Sequence, residues 1–340
     1  MSDQKLNHID FGLLKEVLRF QDVTDVSCKN DGEVWVTSNE RGHFLYDVIV
    51  SEKEVIRIAN QIANKMQKEF NPANPSLEGD IQEEEVDYRV GCVHRYLSPQ
   101  GTTLVIRKVR KKLFLSYHQL IEESISREAL NLLIWMVKAK MNMIFIGETG
   151  SGKTELLKFL AQYIPKNEVV VTIEDSLEFN LKSLVPDLSC TSFRVRKDVT
   201  YQSIVSMTLR LNVERILLQE ARGVEVDDLL DAMSTGHTVM TTMHAKSSEM
   251  VATRVSQMLK NKIESYDSIK KRVFGLVDVV VLMEKIKKEE KIYRVVKEIS
   301  FFEYDSNTDL CLLKKIYQNG DKITTFPKVL KESLVKGRRK

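Results

Sequence analysis

Over residues 1–110 apolar and polar positions alternate in short runs. VTDVSC, EVWVTS and HFLYDVIV are separated by the turn residues Asn30-Asp31-Gly32 and Arg41-Gly42, a pattern that predicts hairpins. A longer period interrupts them. SEKEVIRIANQIANKMQKEF places Val55, Ile58, Ala59, Ile62 and Met66 on one stripe, which predicts a helix. Ser51 stands at its N-cap with Glu54 three residues on, a capping-box spacing. NPANPSLEGD then reads as a loop, and EEVDYRVGCV and TTLVIRKV as two further strands. Residues 1–110 therefore predict a small α+β domain.

A basic connector, 111–123, follows, and from residue 124 the pattern changes. Helical stretches of ten or more residues alternate with compact apolar runs: NMIFI, EVVVTI, RILLQ, TVMTTM and LVDVVVLM. Strands apolar on both faces and separated by helices predict a parallel sheet covered on two sides. This domain is expected to span 124–286. Residues 287–340 return to strand-like runs, IYRVVKEISFFEYD and LCLLKKIYQNG, with Asn319-Gly320 as a hairpin-turn signal. They are expected to form a strand-rich extension that ends in a solvated basic tail, KGRRK.

Composition narrows the functions open to such a chain. Its 340 residues carry 51 Lys and Arg against 48 Asp and Glu, a net charge of +3. That near balance gives no electrostatic case for a dedicated nucleic-acid binder. Cys28, Cys92, Cys190 and Cys311 are far apart and form no C-x-x-C pair, so their spacing builds no zinc module and suits a reducing compartment. The longest apolar run, NLLIWMV, is cut by Lys138 and Lys140, and MSDQKLNHIDFGLL has no signal-peptide pattern. A cytosolic protein is expected, held at a membrane only through partners.

The chemistry begins where NMIFI ends. GETGSGKT, Gly147 to Thr154, reads G-x-x-x-x-G-K-T between a predicted strand and a predicted helix. Glycines let successive N–H groups of Gly147, Glu148, Thr149, Gly150, Ser151 and Gly152 turn inward on a phosphate, and the helix N-terminus adds its positive dipole end. Lys153 supplies a cation to the β- and γ-phosphates, and the Thr154 hydroxyl is placed to ligate Mg²⁺, with Glu155 next to it. Carboxylates that could position metal or water stand where two strands end. Glu174-Asp175 follows EVVVTI, with Glu178 close behind, and Glu220 follows RILLQ. In an open parallel sheet these ends share the P-loop's edge. His237 and His244 bracket TVMTTM. Seven residues of extended chain put them over ~20 Å apart, too far to share a metal; one of them is a candidate for γ-phosphate contact.

GETGSGKT, TIEDSLE, LRLNVERILLQEARG and TGHTVMTTMHA, in that order and spacing, resemble the Walker A, Asp box, Walker B and His box of the type II/type IV secretion ATPase superfamily. DVTDVSCKNDGEVWV is similar to that family's N-terminal domain. The resemblance implies a C-terminal RecA-like P-loop NTPase domain of α/β class behind a smaller N-terminal α+β domain. It further implies ATP and Mg²⁺ as ligands, Glu220 orienting the attacking water, Glu174 in the Asp box, a γ-phosphate-sensing His237, and His244 coupling the box to the sheet. Arg210 and Arg222 flank the Walker B strand. Arg89, Arg95, Arg107 and Arg110 are candidates for arginines that reach a neighbour's nucleotide. A homo-hexamer working on membrane-embedded platform or secretion-channel proteins, peripheral at the inner face of the cell membrane, is implied as well. Four positions depart from the family pattern: Val213-Glu214 replaces Pro-Asp, Gln219 replaces Gly beside Glu220, and Lys246 replaces Asn after His244. The zinc module of the type II branch is missing, and compact length and a strand-rich tail fit the pilus-assembly and conjugative branches. A DNA translocase and an ATP-binding scaffold with little turnover remain open, the latter because of Gln219 and Lys246.

Overall fold

The computed structural model describes residues 8–319 except 84–85, 111–112, 114, 176–178, 197 and 260–262. Glu178, Gly320 and the KGRRK tail lie outside the described residues, as does the side chain of Arg110. The chain divides into two compact units, 1–111 with 287–292, and 112–286 with 293–340.

The first unit is built on six strands: β1 (Val23–Cys28), β2 (Glu33–Ser38), β3 (Gly42–Ile49), β4 (Ser76–Ile81), β5 (Val86–Val93) and β6 (Thr103–Arg110). Their order is β3-β2-β1-β6-β5-β4 and every pairing is antiparallel. The helix Glu52–Lys65 buries Val55, Ile58, Ala59, Ile62 and Ala63 in the same core as Val26, Val36, Val90 and Ile106. Its cap differs from expectation by half. The Ser51 hydroxyl accepts from the Glu54 N–H, but the Glu54 carboxylate pairs with Arg57. The predicted loop NPANPSLEGD contains a strand as well. In β4 Leu77 and Ile81 are buried and Gly79 lies between them, where a Cβ would come 2.0 Å from the Met66 methyl. Pro, Gly and acidic residues on an edge strand hid its alternation. Within 111–123, Ser116 and Gln119 form a full capping box on the helix Tyr117–Glu123.

The second unit holds β7 (Met143–Gly147), β8 (Val169–Glu174), β9 (Ser189–Arg194), β10 (Arg215–Leu218), β11 (Thr238–Met243), β12 (Val279–Lys288), β13 (Lys291–Asp305) and β14 (Leu310–Gln318) in the order β14-β13-β12-β7-β11-β10-β8-β9. The six strands from β12 to β9 run parallel. The polar edge strand β9 carries no apolar alternation, so its sequence does not announce it. β13 and β14 continue this sheet, so the strand-rich stretch after residue 287 adds to the RecA-like layer. One face is covered by the helices Arg127–Lys138 and Lys153–Ala161, the other by Tyr201–Thr208, Glu225–Ser234, Val251–Met258 and Tyr266–Leu276. Among the described residues no helix is long and apolar enough to cross a membrane.

The N-terminal ends of the central strands are tied together by Asn142. Its Oδ1 accepts from the Val239 N–H (2.8 Å), its side-chain amide donates to the Leu276 carbonyl (2.8 Å), and its N–H donates to Asp278 Oδ2 (2.7 Å). Burial pushes the Asp278 carboxyl up to about 6, against the opposing Asn142 bond. The unfolded chain releases this proton first. Stability is therefore highest below the ordinary carboxylate pKa and falls as pH rises through about 6, by on the order of 2 kcal/mol. Asp278→Asn keeps the acceptor and removes the charge. It should raise the thermal midpoint by several degrees at pH 7.5 and leave it nearly unchanged near pH 4; an equal shift at both values would rule out ionisation as the cause.

Candidate nucleotide site

The loop after β7 is shaped by its glycines. Gly147 has φ +142°, and a Cβ there would stand 2.2 Å from the Met283 carbonyl oxygen on β12, so no other residue fits. Gly152 caps the helix Lys153–Ala161 at φ +92°. Lys153 is only 7% exposed and donates to the carbonyls of Gly147 (2.9 Å) and Glu148 (2.8 Å). Burial pulls its pKa below the ordinary lysine value, while the Glu220 carboxylate acts the other way. The Ser151 hydroxyl is buried and has no hydrogen-bond partner among the described residues. Glu155 faces its own helix, pairing with Lys158 at 2.9 Å. Thr154 is half-buried in the first helical turn, and Thr149 and Gly150 are exposed on the loop.

Three further strands bring their ends to this loop. Glu220, just after β10, accepts from Arg222 (2.8 Å) and lies 3.2 Å from His244 Nε2. The other ring nitrogen of His244 faces the Gly147 carbonyl at 3.2 Å. One histidine thus spans the P-loop and the candidate water-orienting carboxylate. Arg222 also pairs with Asp175 at 3.0 Å, and its bond to Glu220 holds its pKa above the usual arginine value. Glu225, which the sequence did not single out, accepts from the N–H groups of Arg222 (2.6 Å) and Gly223 (2.8 Å) and so fixes that turn. The Tyr201 hydroxyl, near this cluster, is buried with no hydrogen-bond partner among the described residues, and burial pushes its pKa up. Gln219, the residue in place of glycine, accepts from the Asp175 N–H (3.1 Å) and so ties the end of β10 to the end of β8.

Other expected residues lie elsewhere. Glu174 is fully buried, and its carboxylate accepts from the Phe179 N–H (2.7 Å) and the Thr172 hydroxyl (3.2 Å). It closes the chain after β8, while its neighbour Asp175 joins the charged cluster. His237 does not reach the P-loop. It precedes β11, which runs parallel to β7, so it stands at the opposite edge, about 20 Å away at ~3.3 Å per residue. There it meets the Thr235 hydroxyl and the Ala232 carbonyl. Arg210, ahead of β10, is exposed at that same far edge. Arg294, missed because it lies on a distant strand, braces the P-loop instead: its Nε donates to the Gly150 carbonyl at 2.9 Å. Sequence separation of 144 residues leaves no local signal for that contact.

In the first unit Arg107 and Arg89 are neighbours across β6 and β5, flanked in register by Asp25 on β1 and Asp80 on β4. The outer pairs are ionic, Arg107–Asp25 at 2.7 Å and Arg89–Asp80 at 3.6 Å. Arg95 pairs with Glu52 at 3.0 Å. Arg110 ends β6.

Residues 20–305 match the family model described as type II/IV secretion system protein. An uncharacterised protein of Bacillus anthracis is 28% identical over 252 residues, which cover 73% of this chain and 56% of that protein, so the chain spans a little over half the length of this relative. The type IV secretion system protein PtlH of Bordetella pertussis is 25% identical over 311 residues, covering 82% of this chain and 90% of PtlH. Among solved structures, the ATPase DotB of Yersinia pseudotuberculosis superposes with a TM-score of 0.66 at 16% identity, over 86% of this chain and 79% of DotB, a likeness of fold.

The brace on the loop can be tested on its own. Arg294→Ala removes a charge-assisted bond of roughly 1.5–3 kcal/mol from the P-loop backbone. Affinity for a fluorescent ATP analogue should fall about five- to tenfold, with the fold intact by circular dichroism. Unchanged affinity would show that the loop holds its shape without the guanidinium.

Proposed function

Because this chain belongs to the type II/IV secretion system protein family, we propose that it is an ATP-hydrolysing motor for a type IV secretion or pilus-assembly machine. It works as a homo-hexamer at the cytoplasmic face of the cell membrane, against membrane-embedded platform or channel proteins. The observation that carries this reading is the meeting of Lys153, Glu220 and His244 around the Gly147 carbonyl.

The residues divide the work. Lys153 is held on two carbonyl oxygens, acceptors that anionic phosphate oxygens outcompete, so it can swing onto the β- and γ-phosphates without breaking an ion pair. Glu220 orients a water and takes its proton as the water oxygen bonds to the γ-phosphorus and the bond to the bridging oxygen of ADP breaks. His244, when protonated, and Arg222 hold that carboxylate from two sides. Mg²⁺ keeps several waters and is bound chiefly through substrate phosphates. The Thr154 hydroxyl and the partnerless Ser151 hydroxyl are the P-loop donors open to such a complex. Mg²⁺ supplies neutralisation of charge on the phosphates. Arg89 and Arg107, set side by side in the first unit, are the arginines proposed to reach a neighbouring copy's nucleotide.

Glu220→Gln keeps size and loses basicity. Turnover by phosphate release should fall about 10²–10⁴-fold while affinity for an ATP analogue stays within a few fold. Loss of binding instead would make Glu220 a metal or nucleotide anchor and remove it from the hydrolytic step. For the ring, Lys153→Ala chains mixed with chains lacking Arg89 and Arg107 should regain part of the activity that each lacks alone, since some interfaces then pair intact halves. A mixture as inactive as its components, together with a monomeric mass in ATP, would contradict a shared site.

A further inference from the structure

Within the second unit a cavity of about 510 Å³ opens from the P-loop, sharing Gly147, Glu148, Thr149 and His244 with the candidate nucleotide site and extending past them to Lys246, Arg254 and Gln257, which the hydrolytic step does not use. Ala245 and Met250 add apolar surface to this lining. Its cations differ from the buried or clustered arginines of this unit. Arg215, Arg222 and Arg272 all pair with carboxylates. Lys246 and Arg254 make no ion pair among the described residues. The Arg254 Nε is shielded from solvent without a hydrogen-bond partner, and the guanidinium reaches only Gln257, at 3.5 Å. An unpaired, half-buried guanidinium is costly unless something anionic satisfies it. The acid in the lining, Glu148, sits exposed on the loop and does not fill that role.

We propose that this cavity is a second oxyanion site, one that takes inorganic phosphate between hydrolysis and release. The proposal rests on the ATPase reading of the P-loop. His244 links the two places: it touches the Gly147 carbonyl and Glu220 and also lines the cavity. A phosphate freed over Lys153 meets the repulsion of ADP behind it and two unpaired cations ahead. The cavity has room for the ion with its hydration shell, so Lys246 and Arg254 hold it loosely and make product inhibition a property of this site. Lys246, where the family has Asn, makes the effect particular to this chain.

The full-length chain loaded with ADP and Mg²⁺ is titrated with inorganic phosphate by calorimetry at constant ionic strength, chloride replacing phosphate. Wild type should bind phosphate saturably. Lys246→Gln and Arg254→Gln should each weaken that binding at least fivefold, with ADP affinity unchanged within twofold. Inhibition of turnover by added phosphate should weaken by the same factor. If Arg254→Gln does not fold, the exposed Lys246 position carries the test alone. Phosphate binding that is unchanged in these variants but is lost in Lys153→Ala places the ion on the P-loop and overturns the proposal. Wild type that binds no ADP overturns the ATPase reading, and this inference falls with it.

Discussion

Six neighbouring strands that run parallel, saturated by their own ladder bonds, must all end at one edge, and each chain reversal there is a place where polar groups can gather. The meeting of Lys153, Glu220 and His244 follows from that constraint. The register Met243↔Ile146 puts His244 beside Gly147, and Leu218↔Thr241 brings Glu220 within reach of His244 one strand further on. The same register sends His237, Arg210 and Glu214 to the other edge. A slip by one residue would turn every buried side chain of a strand to its other face. Both faces are packed, so the alignment of the catalytic candidates is fixed by the core.

The two edges of the sheet show how burial and charge decide what a cation can do. At the far edge Arg215 is fully buried against Glu168 and donates to the Val137 carbonyl at 2.7 Å, while Lys140 pairs with Glu214 at 2.8 Å. The Lys140–Glu214 pair faces solvent, but removing either partner of the buried Arg215–Glu168 pair would strand a charge in a dry place. Glu214, standing where the family has Asp, also accepts from the Val169 N–H and so ties β8 to the segment before β10. At the near edge Lys153 has carbonyl oxygens for company. These satisfy its protons without neutralising it, which leaves a charge ready for exchange onto phosphate.

The long parallel strands and the glycine loop were legible in the sequence because each has a local cause: continuous apolar runs, and a spacing that only a phosphate-binding turn needs. Glu220, Lys153 and the strands that carry them follow directly. What was hidden depends on distance along the chain or on direction. Arg294 acts across 144 residues, and Glu174 differs from Asp175 only in which way each side chain turns at a strand end. The misplacement of His237 came from giving the γ-phosphate contact to the histidine before β11 and not to the one after it. A parallel strand has one end at that edge, and the other histidine is carried away by its full length. β4 and β9 were hidden for the opposite reason: edge strands need little apolar pattern, since half their ladder and much of their surface face water.

β13 draws the remaining pieces together. Arg294 and Glu298 are four residues apart and therefore on one face of this strand. Arg294 holds the Gly150 carbonyl. Glu298, 5% exposed, accepts from the hydroxyls of Ser248 and Ser300, each at 2.6 Å, and pairs with Lys315 at 2.7 Å, which in turn reaches Glu249 at 2.9 Å. Ser248 and Glu249 belong to the segment that follows His244. One strand therefore anchors both the loop over Lys153 and the chain leaving the histidine. A strand in mid-sheet is stiff compared with the loops it holds. Gly150 and the segment 245–250 therefore share one support, with Arg294 at the first and the buried carboxylate of Glu298 at the second.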